Sequence, residues 1–288
     1  MRASARLYAA LFALSLFLTG CATARLTQFN TFAQAGITYT TASQTVITDA
    51  GNAVVNTDSA ILIKSRTDLN EAQRRAAVTT SDTLLKQRLQ VLQLIGAHGR
   101  VLQAYFQALA SLSDPKATNS IGTAAQGVYA SFAKIDPALT NAKIGSTSVS
   151  SFIPTVIAPI VATFKAHALN DELHARSADI AKELALQEAA FSAIASEFKT
   201  DAQVLQNIHE TDSINQFASS TALPADWSTV RLPLLSTPVT VASADAAAKA
   251  AAQLRTAFTA LVADQLDSNG FALLLGDISN ILTIAKGI

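Results

Sequence analysis

The chain is poor in the residues that staple or break a fold. A single cysteine in 288 residues excludes an internal disulfide and any paired-cysteine metal motif. There are only seven prolines, and none falls between Arg2 and Asp114, so nothing in that stretch forces a helix to end. Eleven glycines and 6% aromatic residues leave little material for the turns and half-buried strands of a sheet protein. Charge is scarce and balanced, with 21 basic and 21 acidic side chains. The first twenty residues hold Arg2, Arg6 and no acid, which leaves 19 basic against 21 acidic side chains in the remainder. A net charge near −2 does not draw nucleic acid or an anionic surface by bulk electrostatics. The Gly-rich phosphate loop, the Gly-x-Ser-x-Gly elbow and the His-Glu-x-x-His metal helix are all missing. No catalytic residue, cofactor or enzymatic activity is therefore expected. What is present is apolar: half of all residues, with alanine prominent, a composition that favours helix.

The beginning of the chain has a pattern of its own. Arg2 and Arg6 precede an apolar core from Leu7 to Leu18, too short to cross a bilayer comfortably. Leu18-Thr19-Gly20-Cys21 follows at once and resembles the lipobox of bacterial lipoproteins. That resemblance implies a signal peptide over residues 1–20 cut between Gly20 and Cys21. It also implies a diacylglycerol on the Cys21 sulfur and acylation of the new amino group, and two or three acyl chains anchor firmly where one is marginal. Ala22, rather than an aspartate, follows the cysteine, which in many Gram-negative bacteria goes with delivery to the outer membrane, facing the periplasm.

The rest, residues 21–288, reads as a single all-α domain, an elongated antiparallel bundle. From Ala24 to about Ile63 the apolar residues recur at mostly helical intervals, predicting one long helix weakened by its threonines and by Gly36 and Gly51. Asp68-Leu69-Asn70-Glu71 is compatible with a capping box that starts a second helix. Leu84, Arg88, Val91, Ile95, His98, Leu102, Tyr105, Leu109 and Leu112 then alternate in steps of four and three, a coiled-coil-like seam. A shorter helix is expected from Ile121 to Ile135, a serine-rich loop from Thr140 to Ser151, and a long helix or helix pair from Ile153 to about Ile208. Pro224, Pro233, Pro238 and the only tryptophan, Trp227, suggest an irregular strap over residues 211–242 that covers the bundle, because prolines would interrupt a sheet ladder. An alanine-rich helix from Ser243 is expected to break at Asn269-Gly270 before a last helix through Leu282. Helices of about forty residues reach about 60 Å, hence the elongated form.

Few residues suggest chemistry. His167, Asp171 and His174 share one helical face, and Asp171-x-x-His174 has the carboxylate-x-x-His form by which bundles hold metals. A bundle metal site needs a second such pair, and neither His98 nor His209 has an acid three residues before it, so the alternative is a set of solvated or capped polar positions. His98 falls on the apolar seam, as a core histidine satisfied by a carbonyl or hydroxyl, with a ligand or pH switch as the other reading. Lys64, Arg66, Arg74 and Arg75 form a small basic region, either a solvated helix end or a partner contact. The run Phe152–Val161 is interrupted by two prolines and too short to span a membrane. The expectation from these features is a lipid-anchored periplasmic lipoprotein, held to the membrane through Cys21, that binds a protein partner as an adaptor or spacer. An immunity or inhibitor protein is the alternative, and a membrane-active helical protein a further one. Nucleic acid is not an expected partner.

Overall fold

The computed structural model describes the backbone of residues 2–112, 143–144, 147–148, 169–210, 215–219 and 227–263, with single residues beyond. Side chains are described chiefly within 27–111, 177–210 and 240–263. The described part is all-α. Its long helices are α1 (Arg2–Ser65), α2 (Glu71–Leu112), α3 (Leu169–His209) and α5 (Trp227–Val262), with a short α4 (Asn215–Ser219) and a 3-10 turn, Arg66–Asp68, between α1 and α2. The exception is a two-residue antiparallel ladder, Lys143–Ile144 against Thr147–Ser148. It lies within the stretch expected to be loop.

The threonines do not break α1. Thr31, Thr38, Thr40, Thr41 and Thr48 each donate a hydroxyl to the carbonyl four residues back, at 2.8–3.0 Å. Each polar group is thereby satisfied inside the helix that its β-branched side chain disfavours. Gly36 is explained by its neighbour. A Cβ there would stand 2.4 Å from Cγ and Cδ2 of Phe106, so α1 lacks a side chain where the ring of α2 lies against it.

The contacts between α1 and α2 fix their relative direction. Phe32 meets Phe106, Thr41 meets Gln103, Gln44 meets Gly96 and Asp58 meets Ser81, so one number rises as the other falls and the helices run opposite ways. The same holds for α2 and α3, where Arg88 meets Asp201 and His98 meets Glu183. The core is aromatic where the helices converge. Phe32 is edge-on to Phe106 at 5.6 Å and stacked with Phe258 of α5 at 5.5 Å, joining three helices through one fully buried ring. Elsewhere α5 contributes Ala244, Ala247, Ala250, Ala251 and Ala257, each fully buried. Such small side chains let backbones approach closely, and the contact between α3 and α5 is the most extensive of any helix pair.

Several boundaries differ from expectation. The capping box is real but sits two residues later: Asn70 Oδ1 accepts from the Gln73 backbone N–H at 3.0 Å, and Gln73 Oε1 accepts from the Asn70 N–H at 2.9 Å. Asn70 is as good a cap as Asp, and the 3-10 turn occupies Asp68. Of the strap expected over 211–242, residues 227–242 are not extended but belong to α5, with Pro233 and Pro238 inside it. Each interior proline removes one ladder bond at a cost of about 3 kcal/mol. The alanine-rich half of α5, docked on the core, continues that helix. Trp227 does not cover the bundle core: it stacks on Phe217 of α4 at 5.3 Å, and Phe217 is 58% exposed. The break expected at Asn269-Gly270 comes earlier, where Gln265 donates its N–H to the Ala260 carbonyl and α5 closes. The helix expected over 121–135 and the run Phe152–Val161 lie outside the described residues.

Candidate functional site

Two regions stand out from ordinary core packing, one buried and one exposed. The buried one is a polar layer across three helices. On α2 the seam residue His98 is 1% exposed, and its Nδ1 lies 3.0 Å from Oε2 of Glu183 on α3, itself 5% exposed. Gln187, one turn on, donates Nε2–H to the other oxygen, Glu183 Oε1, at 2.9 Å. Tyr39 on α1 is fully buried nearby, and burial pushes its phenol well above the ordinary range, with Glu183 and Glu188 adding to the rise. The histidine is thus a core residue, as its place on the seam predicts, and a carboxylate of α3 is among its partners. Removing one member of such a pair leaves a buried polar group uncompensated, whereas the intact pair fixes which turn of α2 faces which turn of α3.

A second polar cluster lies toward the α1–α2 turn. Arg88 bridges Glu197 and Asp201 of α3, the latter at 3.0 Å. Burial raises both carboxyls, and the Arg88 guanidinium only partly offsets it. The cleft beside this cluster, lined by Val54, Arg88, Val91, Leu92, Ile194, Glu197 and Phe198, encloses about 10 Å³. That volume holds about one water and no organic ligand.

The exposed region begins where the core ends. Thr57 is the last buried residue of α1 and Val91 the first of α2, and no residue from 58 to 90 is buried. Both helices nevertheless continue through this stretch, tied by the Asp58–Ser81 hydrogen bond and closed by the Asn70 cap. The result is a two-helix hairpin projecting from the core. It exposes Ile61 (43%), Ile63 (63%), Val78 (47%) and Leu84 (57%), large apolar side chains that a merely solvated hairpin has no need to show. The basic residues foreseen in the sequence, Lys64, Arg66, Arg74 and Arg75, are all exposed here. Arg75 pairs with Glu71 at 2.8 Å, and Arg74 reaches the Arg66 carbonyl at 3.4 Å.

The remaining sequence candidates are not brought together. His167 lies outside the described residues. Asp171 and His174 fall on the first turns of α3 and Cys21 on α1, but their side chains lie outside the described ones. Among the described residues no group of three or more His, Cys, Asp or Glu side chains is arranged to hold a metal, and no helix is long and apolar enough to cross a membrane. The sequence reading missed Glu183 and Gln187, yet a signal was there. Ile180, Glu183, Gln187, Phe191 and Ile194 recur at helical spacing, so two polar residues interrupt an apolar stripe opposite a seam that itself contains His98. Comparison with family models, with curated proteins and with solved structures finds no match for this chain.

Proposed function

We propose that this protein is a lipid-anchored adaptor of the bacterial envelope, tethered through Cys21 and presenting the hairpin of residues 58–90 to a protein partner. One observation carries the reading: two helices continue through 33 residues beyond the last buried position while exposing Ile61, Ile63, Val78 and Leu84. A hairpin without a core of its own gains little stability from the chain that makes it. A bound partner supplies the missing burial. The lipobox places the tether at the other end of the same helix, and α1 runs unbroken from Cys21 to Ser65, about 65 Å at helical rise. The arrangement suits a spacer that holds a contact surface away from a membrane. Absence of a ligand-sized cavity beside Arg88 agrees with a contact function better than with chemistry in that cleft.

The reading has two separable tests. Metabolic labelling with a radioactive fatty acid should mark the wild type and not the Cys21→Ser variant, and only the wild type should sediment with membranes. Equal fractionation of both as soluble protein removes the tether from the proposal. A photo-crosslinking side chain at Ile63 should give discrete adducts in the envelope, whereas one at Lys249, exposed on α5, should not. Equal yields from the two positions would mean that the hairpin is not a contact surface.

A further inference from the structure

The exposed face of α2 in the hairpin carries its charges in an order that is complementary to itself. Glu71, Arg75, Val78, Asp82 and Lys86 follow one another at spacings of four, three, four and four, so they form a single stripe along the helix. All five are exposed. Read toward the core the stripe is acid, base, apolar, acid, base. An antiparallel copy laid against it and centred between Val78 and Thr79 places Arg75 opposite Asp82 of the other copy and Glu71 opposite its Lys86. Two-fold symmetry repeats each pairing, giving four intermolecular ion pairs around two valines at the axis. A parallel alignment in register would instead set like against like at every charged position, at a cost.

We infer that the partner of this face is a second copy of the same chain, joined by antiparallel pairing of the two α2 stripes. The inference rests on the reading of the hairpin as a contact surface, and it names what is contacted. The Arg75–Glu71 ion pair, 2.8 Å within one chain, is compatible with it: the guanidinium held along the stripe bridges Glu71 and the incoming Asp82. The overlap runs from the cap at Asn70 to Lys86, about 24 Å of helix. Such a contact is smaller than a permanent dimer interface, so the association is weak in dilute solution. Antiparallel pairing also directs the two Cys21 ends away from each other.

The test is a cysteine scan with charge exchange in the full-length Cys21→Ser chain, purified in detergent. Under mild oxidation Val78→Cys should give a disulfide-linked dimer and Ile63→Cys, off the stripe, much less. By sedimentation equilibrium Arg75→Asp or Asp82→Arg alone should weaken self-association about tenfold, because each substitution alters two symmetry-related pairs. Arg75→Asp combined with Asp82→Arg should restore it to within about threefold of the parent, since the exchanged charges again meet. Raised salt should weaken the parent dimer. A chain that stays monomeric at every concentration, or dimers whose strength ignores these substitutions, overturns the inference. Adducts at Ile63 to a different protein, with no dimer through Val78→Cys, would overturn it while leaving the hairpin's role as a contact surface intact.

Discussion

Two glycines on α1 should respond to the same substitution with opposite signs. A Cβ at position 36 would lie 2.4 Å from two carbons of the Phe106 ring and 2.6 Å from a third. Ordinary contact begins about 1 Å farther out, so ring or helix must move. The ring has nowhere to go: Phe106 is fully buried, edge-on to Phe32 at 5.6 Å and to Tyr105 at 5.8 Å. Overpacking of this kind costs about 1–3 kcal/mol, and the better helix propensity of alanine returns only about 1 kcal/mol of it. Gly36→Ala should therefore lose up to about 2 kcal/mol net. At Gly51 the nearest atom to a new Cβ is Leu89 Cδ2 at 3.7 Å, an ordinary contact. Gly51→Ala should thus gain about 0.5–1 kcal/mol from the reduced entropy of the unfolded chain. Urea unfolding followed by circular dichroism reads both, and at roughly 2–3 °C per kcal/mol thermal melts should separate them clearly. Phe106→Leu in the Gly36→Ala background should recover part of the loss, as a coupled pair does. If Gly36→Ala proves as stable as Gly51→Ala, the close approach of α1 to Phe106 is not what the fold depends on.

His98→Leu should cost about 1–3 kcal/mol, because it leaves Glu183 Oε2 buried without its hydrogen bond to the ring, whereas adding Glu183→Leu should return much of that; equal losses for the single and double variants would show that packing, not the polar pair, governs the site. Around Arg88 the sign follows from burial. Glu197 and Asp201 are raised in the folded chain, so between the free carboxyl value and the raised one the folded state holds more protons than the unfolded. Their contribution to stability accordingly falls as pH rises through that interval. Arg88→Met removes the only offsetting cation of the cluster and should destabilise more at about pH 8 than at about pH 4, a difference that urea midpoints at the two values would detect and that equal losses would refute. The combined Glu197→Gln and Asp201→Asn variant should flatten the same pH dependence.

Helix content was legible because the signals are local and repeated. The long α1, the seam from Val91 to Leu109 and the apolar stripe of α3 all show the helical period, and each is where the structure buries side chains. Ends were less legible than bodies. Asn70 and Asp68 are comparable caps on paper, and only the pairing with Gln73 decides between them. Pro233 and Pro238 signalled an irregular segment on local grounds, but a helix docked along its alanine face can absorb an interior proline that an isolated segment cannot.

The sequence by itself determined the helical class, the exposed basic turn and the buried place of His98, since each depends on spacing along one chain. It could not determine what meets what across the fold. That Glu183 answers His98, that Asp201 and Glu197 answer Arg88, and that Gly36 makes room for Phe106 joins residues 70 to 113 positions apart. Helical periodicity says which face turns inward but carries no information on which neighbour it finds there. The same reasoning separates the hairpin from the core: residues 58–90 have the helical pattern of their neighbours, and only the end of full burial at Thr57 and Val91 shows where they leave the core, with Leu85, Arg88 and Leu89 still packed on it at the hairpin's base.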